Sequence, residues 1–356
     1  MNSNRTLLAG LALAPALLAL ALPLDEVAFR PSSELSVTRT IESTRNFSLD
    51  DMEMTMNGQP LPMDLQMEMD MSMTQKTIVT DVYGAVAGGR HAKLERTFDE
   101  LAQNGEFSMR MPMMPEGGQD STIEGASELE GKTVVFAWDE EQGDYVPSFE
   151  GEGDEDLLKG LEEDMDLRVL LPAGSVSEGD TWEVDVKKLR SVLALGGNLK
   201  VVPQGDDKPD SGMPGMDGMS DFSQMFDDLI EGDATGEYRG TREIDGVSCQ
   251  VIGLKLDVRA SADLTDKLEE NVAQSLPDGM GEVEVDHVDM EIAIEGEGQL
   301  YWNPATGVAH AFELNGTMTI NMDMAFAISM GEQNMSMEQN LTMSGTFEDK
   351  VGVARN

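Results

Sequence analysis

The chain has 356 residues, 68 of them acidic and 24 basic, with a formal net charge of −44. That charge repels nucleic acids and anionic lipid surfaces, which excludes a DNA- or RNA-binding role. One cysteine, Cys249, excludes an internal disulfide, and 27 methionines beside only 11 Phe, 4 Tyr and 3 Trp point to a core partly filled by thioethers.

Residues 1–21 have the composition of a signal peptide. Asn4-Arg5 gives a polar, positive start, residues 6–20 are almost wholly Leu and Ala, and Ala19-Leu20-Ala21 fits the small-x-small cleavage rule. Pro15 interrupts the apolar run, which falls short of the ~20 residues a membrane span needs. The rest, 22–352, is expected to form one β-rich domain that is exported to the periplasm or beyond. It should be soluble and not membrane-spanning after signal cleavage.

Leu35, Val37, Ile41, Phe47 and Leu49 alternate in odd phase, and Met52, Met54 and Met56 in even phase. A one-residue slip of this kind predicts a β-bulge near Asp50-Asp51. Asn57-Gly58-Gln59-Pro60 is a turn. Leu61, Met63, Leu65, Met67, Met69, Met71 and Met73 then alternate with polar residues, giving a long hairpin with a methionine face. Val79 and Val82 lead to a Gly-rich turn at 84–89, and Ala92, Leu94 and Phe98 make a third strand. Met109, Met111, Met113 and Met114 sit beside Pro112 and Pro115, so this stretch reads as an edge or a loop. Residues 133–138 and 145–149 are short strands.

The middle carries four helical pieces. Asp154 caps the first, with Leu157, Leu158, Leu161 and Met165 as its stripe. Leu189, Val192 and Leu193 form the second, stopped by Gly196-Gly197. Phe222, Met225, Phe226, Leu229 and Ile230 form the third. Leu264, Leu268, Val272 and Leu276 form the fourth, over 262–276, before Pro277. Between the first two, Gly179-Asp180 launches a strand with Trp182, Val184 and Val186 on one face. Residues 203–220 are a flexible Asp/Gly/Pro/Met loop without a period.

Asp245-Gly246 is a hairpin signal, and Gly253 suggests a bulge. Val288, Met290, Ile292, Ile294, Leu300 and Trp302 alternate with polar residues up to a turn at 303–307. Residues 308–330 form the longest pattern in the chain. Phe312, Leu314, Met318, Ile320, Met322, Met324 and Phe326 take even positions, and Glu313, Asn315, Thr317, Thr319, Asn321 and Asp323 take odd ones. A helix would smear these apolar residues round its whole circumference, so this is a strand with one buried face. Met335, Met337, Leu341, Met343 and Phe347 continue after another turn. The meanders 35–98 and 283–347 are alike in organisation, as an internal duplication would make them.

The fold class that follows is mainly β, with long antiparallel strands in a curved sheet or half-barrel and about four short helices against its concave side. A transmembrane barrel fits less well, because its strands need only ~9–11 residues and carry aromatic girdles. Leu171-Pro172, Gly179-Asp180-Thr181-Trp182 and Asp245-Gly246-Val247, following a signal peptide, resemble secreted bacterial β-rich proteins of unknown function. The strand pattern is similar to that of periplasmic lipoprotein carriers. That resemblance implies an exported binding protein, and no motif carries a ligand residue across.

Catalytic motifs are absent from the sequence: there is no Gly-x-Ser-x-Gly, His-Glu-x-x-His or P-loop. His91, His287 and His310 are isolated in sequence, and Cys249 reads as a small buried hydrophobe. The expectation is a non-enzymatic envelope protein with no cofactor. It would bind an apolar, lipid-like molecule or an envelope protein through a face that includes Met67, Met69, Met71, Met73, Met318, Met322, Met324 and Phe326. A filled core would show the same alternation, which leaves a purely structural secreted protein as an alternative. Two cation readings stand beside these. Met213, Met216 and Met219, with Met109 and Met111, offer soft sulfur to periplasmic Cu(I). Asp206, Asp207, Asp217 and Asp221 offer oxygen to Ca.

Overall fold

The computed structural model describes residues 25–60, 67–87, 90–110, 119–204, 230–266, 268–269, 282–330 and 333–356. The residues expected to form the signal peptide lie outside them.

The strands are β1 (Ser36–Met56), β2 (Gln59–Pro60), β3 (Glu68–Tyr83), β4 (Val86–Ala87), β5 (Arg90–His91), β6 (Lys93–Arg110), β7 (Gln119–Ala126), β8 (Thr133–Asp139) and β9 (Asp144–Phe149). They continue as β10 (Thr181–Glu183), β11 (Val202–Gln204), β12 (Ile230–Ile244), β13 (Val247–Asp263), β14 (Glu282–Asn303), β15 (Val308–Met330) and β16 (Gln333–Arg355). The bounds of β15 are those of the alternating stretch, and its 23 residues reach roughly 75 Å at the usual rise.

All but β4 and β5 join one 14-stranded antiparallel sheet, ordered β10-β12-β13-β14-β15-β16-β1-β3-β6-β7-β11, with β2, β8 and β9 off that path. The two meanders meet at its centre, where β1 pairs with β16 from Val37↔Arg355 to Met56↔Met337. The ladder shifts register between Leu49 and Asp51, at the expected bulge. Asn57 and Gly58, and likewise Asp245 and Gly246, all have positive φ, as tight two-residue hairpin turns require.

One segment ties the two edges of this sheet together. β10 pairs with the β12 edge, and β11, 18 residues further on, pairs with the β7 edge. The intervening chain carries Leu189, Val192, Leu195 and Leu199 into the core, Met165, Leu167 and Leu170 are buried shortly before β10, and the two stretches together, 155–201, make a strap. The sheet is therefore curled, and this strap plugs one end of the concave face, the base. The base is where β1, β6, β13 and β15 start and β3, β12, β14 and β16 end. Glycines permit the curl. Gly296 and Gly316 pair across strands, and a Cβ on Gly316 would lie 2.0 Å from the Glu295 carbonyl and 2.8 Å from the Phe347 ring. The Phe347 ring occupies the space these glycines leave.

Several expectations are corrected. About four helices were expected against the sheet, whereas among the described residues the helical structure comprises α1 (Arg190–Leu193), three 3-10 turns and helical residues at 265–266 and 268–269. Asp154 does cap a turn, with its side chain accepting from the Asp156 N–H, but the turn ends at Leu158 and Gly160 follows at φ +77. Beyond it the chain is held by ion pairs to the sheet instead of by a helical ladder. Residues 262–263 belong to β13, and Ile230 opens β12. The rest of the third expected helix, and the end of the fourth, lie outside the described residues. The strand at Trp182 stops at Glu183, because the Asp185 carboxylate accepts from the Lys187 N–H and turns the chain. Gly253 sits in regular register with Glu237 and Gln299, and the shift lies in the partner strand between Tyr238 and Thr241. Gly253 instead makes room for Arg239, whose Cζ would be 2.4 Å from an added Cβ.

Candidate binding face

Moving along the concave face from the base, the side chains change kind. At the base, Arg39 on β1 contacts Asp81 on β3 and Asp166 on the strap, each at 2.5 Å, and donates to the Tyr83 hydroxyl. Arg96 on β6 grips Asp81 through Nε and Nη2 and donates to the carbonyls of Glu162 and Glu163. His91 lies 2.8 Å from Glu163 and stacks on Tyr145, while Arg168 pairs with Glu163 and Asp164. Arg39, Asp81, His91, Arg96, Glu163 and Asp166 are all buried. Burial works against the Arg39 charge, but Asp166, Tyr83 and Asp81 outweigh it and hold the guanidinium protonated. Burial would also raise the Glu163 carboxyl. The His91 contact and Arg168 outweigh it, so Glu163 titrates below the ordinary carboxylate range. Desolvation alone dominates at Asp164 and pushes its carboxyl up. These charges fasten the strap to the sheet.

Midway along, Arg45 on β1 pairs with Asp349 on β16 at 2.9 Å, and its guanidinium lies over the Phe347 ring. Burial raises the Asp349 carboxyl above its usual range.

Beyond this pair the face is methionine. Cross-strand register sets Met52, Leu341, Met322 and Met290 in one row over β1, β16, β15 and β14. Met54, Gln339, Met324 and Val288 form the next row, and Met56, Met337, Phe326 and Val285 the last. On the other side of β1, Met71 pairs with Phe47 and Phe107, and Met69 with Met109. Of the eight residues expected on this face, Met69, Met71, Met324 and Phe326 are buried, while Met67, Met73, Met318 and Met322 are half-buried against the core. Register sets Met69, Met71 and Met73 of β3 and Met318, Met322, Met324 and Phe326 of β15 in the inward phase, in two groups separated by β1 and β16, and Met67 lies just before β3. Leu264 and Leu268 cover Val285, Val288, Met324 and Phe326.

The cation readings fare differently. Met109 lies in β6 between β3 and β7, so it occupies an interior strand instead of the expected edge or loop, and it is buried. Met111, Met213, Met216 and Met219, with Asp206, Asp207, Asp217 and Asp221, lie outside the described residues. Cys249 is fully buried, and burial pushes its thiol up to about 11.

Sequence reasoning missed the base cluster. Its charged members sit at apolar-phase positions of β1, β3 and β6: Arg39 between Val37 and Ile41, Asp81 between Val79 and Tyr83, Arg96 between Leu94 and Phe98. A charge in the buried phase of an alternating strand was the available signal.

No family model matches the chain, and no curated protein matches it. Among solved structures, the outer membrane protein OprG from Pseudomonas aeruginosa aligns with 92% of this chain and 99% of its own, at 8% identity and a TM-score of 0.21. The COG4313 outer membrane channel from Pseudomonas putida F1 aligns with 93% of this chain and 100% of its own, at 8% identity and a TM-score of 0.19. A DUF1329 family protein from Desulfovibrio piger covers 91% of this chain and 86% of its own, at 7% identity and a TM-score of 0.12. TM-scores this low do not establish a shared fold. Among the described residues no helix is long and apolar enough to cross a membrane, which says nothing about crossing by strands.

Proposed function

We propose that this chain is an exported, soluble, non-enzymatic binding protein of the bacterial envelope, and that its methionine face takes an apolar, lipid-like ligand. The observation that carries this reading is the set of half-buried thioethers, Met52, Met67, Met73, Met318 and Met322, packed on the core yet reachable from solvent. Unbranched, polarizable Met side chains repack round different apolar shapes at little cost. A non-enzymatic role is supported by the burial of the reactive groups, His91 with Glu163 at the base and Cys249 in its strand. The signal-peptide composition supports export.

The test is native mass spectrometry of gently purified mature protein, with a lipid extract of the same sample, and titration of an environment-sensitive dye. Copurified lipid, or a saturable dye site weakened by Met318→Glu with Met322→Glu, is the expected result. Neither lipid nor a dye site would overturn the reading and leave the face as packed core.

A further inference from the structure

Two of the half-buried methionines have a neighbour that packing does not call for. Gln339 on β16 is buried, and its amide nitrogen donates to the Met52 sulfur at 3.5 Å. Gln103 on β6 donates in the same way to the Met73 sulfur. A thioether is a weak acceptor, so an amide donor aimed at one, buried at Gln339 and half-buried at Gln103, is under-satisfied. Apolar Leu or Met at 339 would complete the row of Met54 and Met324, which lie across the strand on either side.

A sulfoxide changes this balance. Its oxygen is a strong acceptor on the atom the amide already faces. The same polar group elsewhere in the methionine rows would be buried without a partner, at a destabilising cost. We infer that Met52 and Met73 are sites of reversible oxidation to methionine sulfoxide, with Gln339 and Gln103 placed to receive the oxidised forms. The oxidant is a peroxide. The sulfur lone pair attacks one peroxide oxygen, the S–O bond forms as the O–O bond breaks, and the departing hydroxide takes the proton from the oxygen now on sulfur, leaving the sulfoxide and water. Sulfur loses the two electrons that the peroxide gains. Thiol-dependent sulfoxide reductases reverse such a step. No thiol of this chain competes, because Cys249 is fully buried and protonated. The inference is independent of what the face binds.

The experiment uses the full mature chain, mild hydrogen peroxide, peptide mapping of each methionine and thermal melting. Sulfoxide at Met52 and Met73 should form while the protein stays folded, with Tm moving by less than about 1 °C. In Gln339→Leu, oxidation of Met52 should instead lower Tm by about 2–4 °C, the size expected for a buried polar group left unpaired. Gln103→Leu should do the same for Met73. Should a Gln→Leu chain fail to fold, Met52→Gln supplies a side-chain carbonyl without chemistry, and it should cost less than Met343→Gln, where no amide waits. Equal losses of Tm with and without Gln339, a Met52→Gln as damaging as Met343→Gln, or Met52 and Met73 still reduced when Met56 is oxidised would each overturn the inference.

Discussion

The base and the far end of one concave face solve the problem of burial in opposite ways. The base is built from aromatics, branched aliphatics and interlocked charges. Trp302, Tyr83, Tyr238, Phe98 and Phe312 are all sealed there, with Arg39 and Arg96 among them. The far end is built from thioethers, with hardly a charge on its inner side among the described residues. Branched and aromatic residues, together with ion pairs that must be satisfied in one geometry, specify a single arrangement. Met specifies volume but not shape. The same strands run through both regions, so the sheet supplies a rigid root and a compliant tip without a domain boundary.

The contrast is sharpest under substitution. Arg39→Leu should be the most damaging single change, because it leaves Asp81 and Asp166 buried beside too few cations. A loss of about 3–5 kcal/mol is expected, read by urea denaturation, as when one partner of a buried pair is removed. A loss under 1 kcal/mol would mean that the base is no more exacting than the tip.

Glu163→Gln removes the charge that Arg168 and His91 share, and should cost about 1–3 kcal/mol at neutral pH. Its pH dependence carries a sign. The folded-state pKa of Glu163 lies below its unfolded value, so its stabilisation is full above the unfolded value and lost as pH falls through the folded one. The gap between wild type and Glu163→Gln should therefore close below about pH 4, near the ordinary carboxylate range. A gap that widens on acidification would contradict the assignment.

Gly316→Ala tests the curl that lets base and tip share one face. Its Cβ would meet the Glu295 carbonyl and the Phe347 ring, and about 1–3 kcal/mol should be lost through overpacking. The smallest effect belongs to the tip. Met343→Leu, although Met343 is buried, should change stability by less than about 1.5 kcal/mol, since the side chains have nearly equal volume. A loss matching that of Arg39→Leu would erase the distinction between the two regions.

How much of this was legible in the sequence follows from the same division. Period-2 patterns are strongest where every inward residue is apolar, so β15, β14 and the Met-rich ends of β1 and β3 could be traced nearly residue by residue, bulge included. For that reason seven of the eight proposed face residues fall in the inward phase of β3 and β15. Short-range turn chemistry at Asn57-Gly58 and Asp245-Gly246 was equally plain. Of the two helices expected in the strap, the second survives as the short Arg190–Leu193 helix and the first shrinks to a 3-10 turn, because apolar residues recur there at helical spacing while the forces that hold the chain come from Arg39, Arg96 and His91 on distant strands. A local pattern cannot report an ion pair between residues 39 and 166. Gly253 was misread for a related reason. Its role is to admit a side chain from the neighbouring strand, which spacing along its own strand does not reveal.

The pairing of β1 with β16 also bears on how the chain reaches this state. Residues 37 and 355 are partners, so the middle of the sheet closes over a separation of roughly 300 residues, while every other long strand pairs with a near neighbour in the chain. Each meander can zip up locally, but until β16 arrives each presents a long unpaired strand edge beside a methionine-rich surface. The slowest and most aggregation-exposed step would then be the docking of two half-sheets along a single nineteen-pair seam.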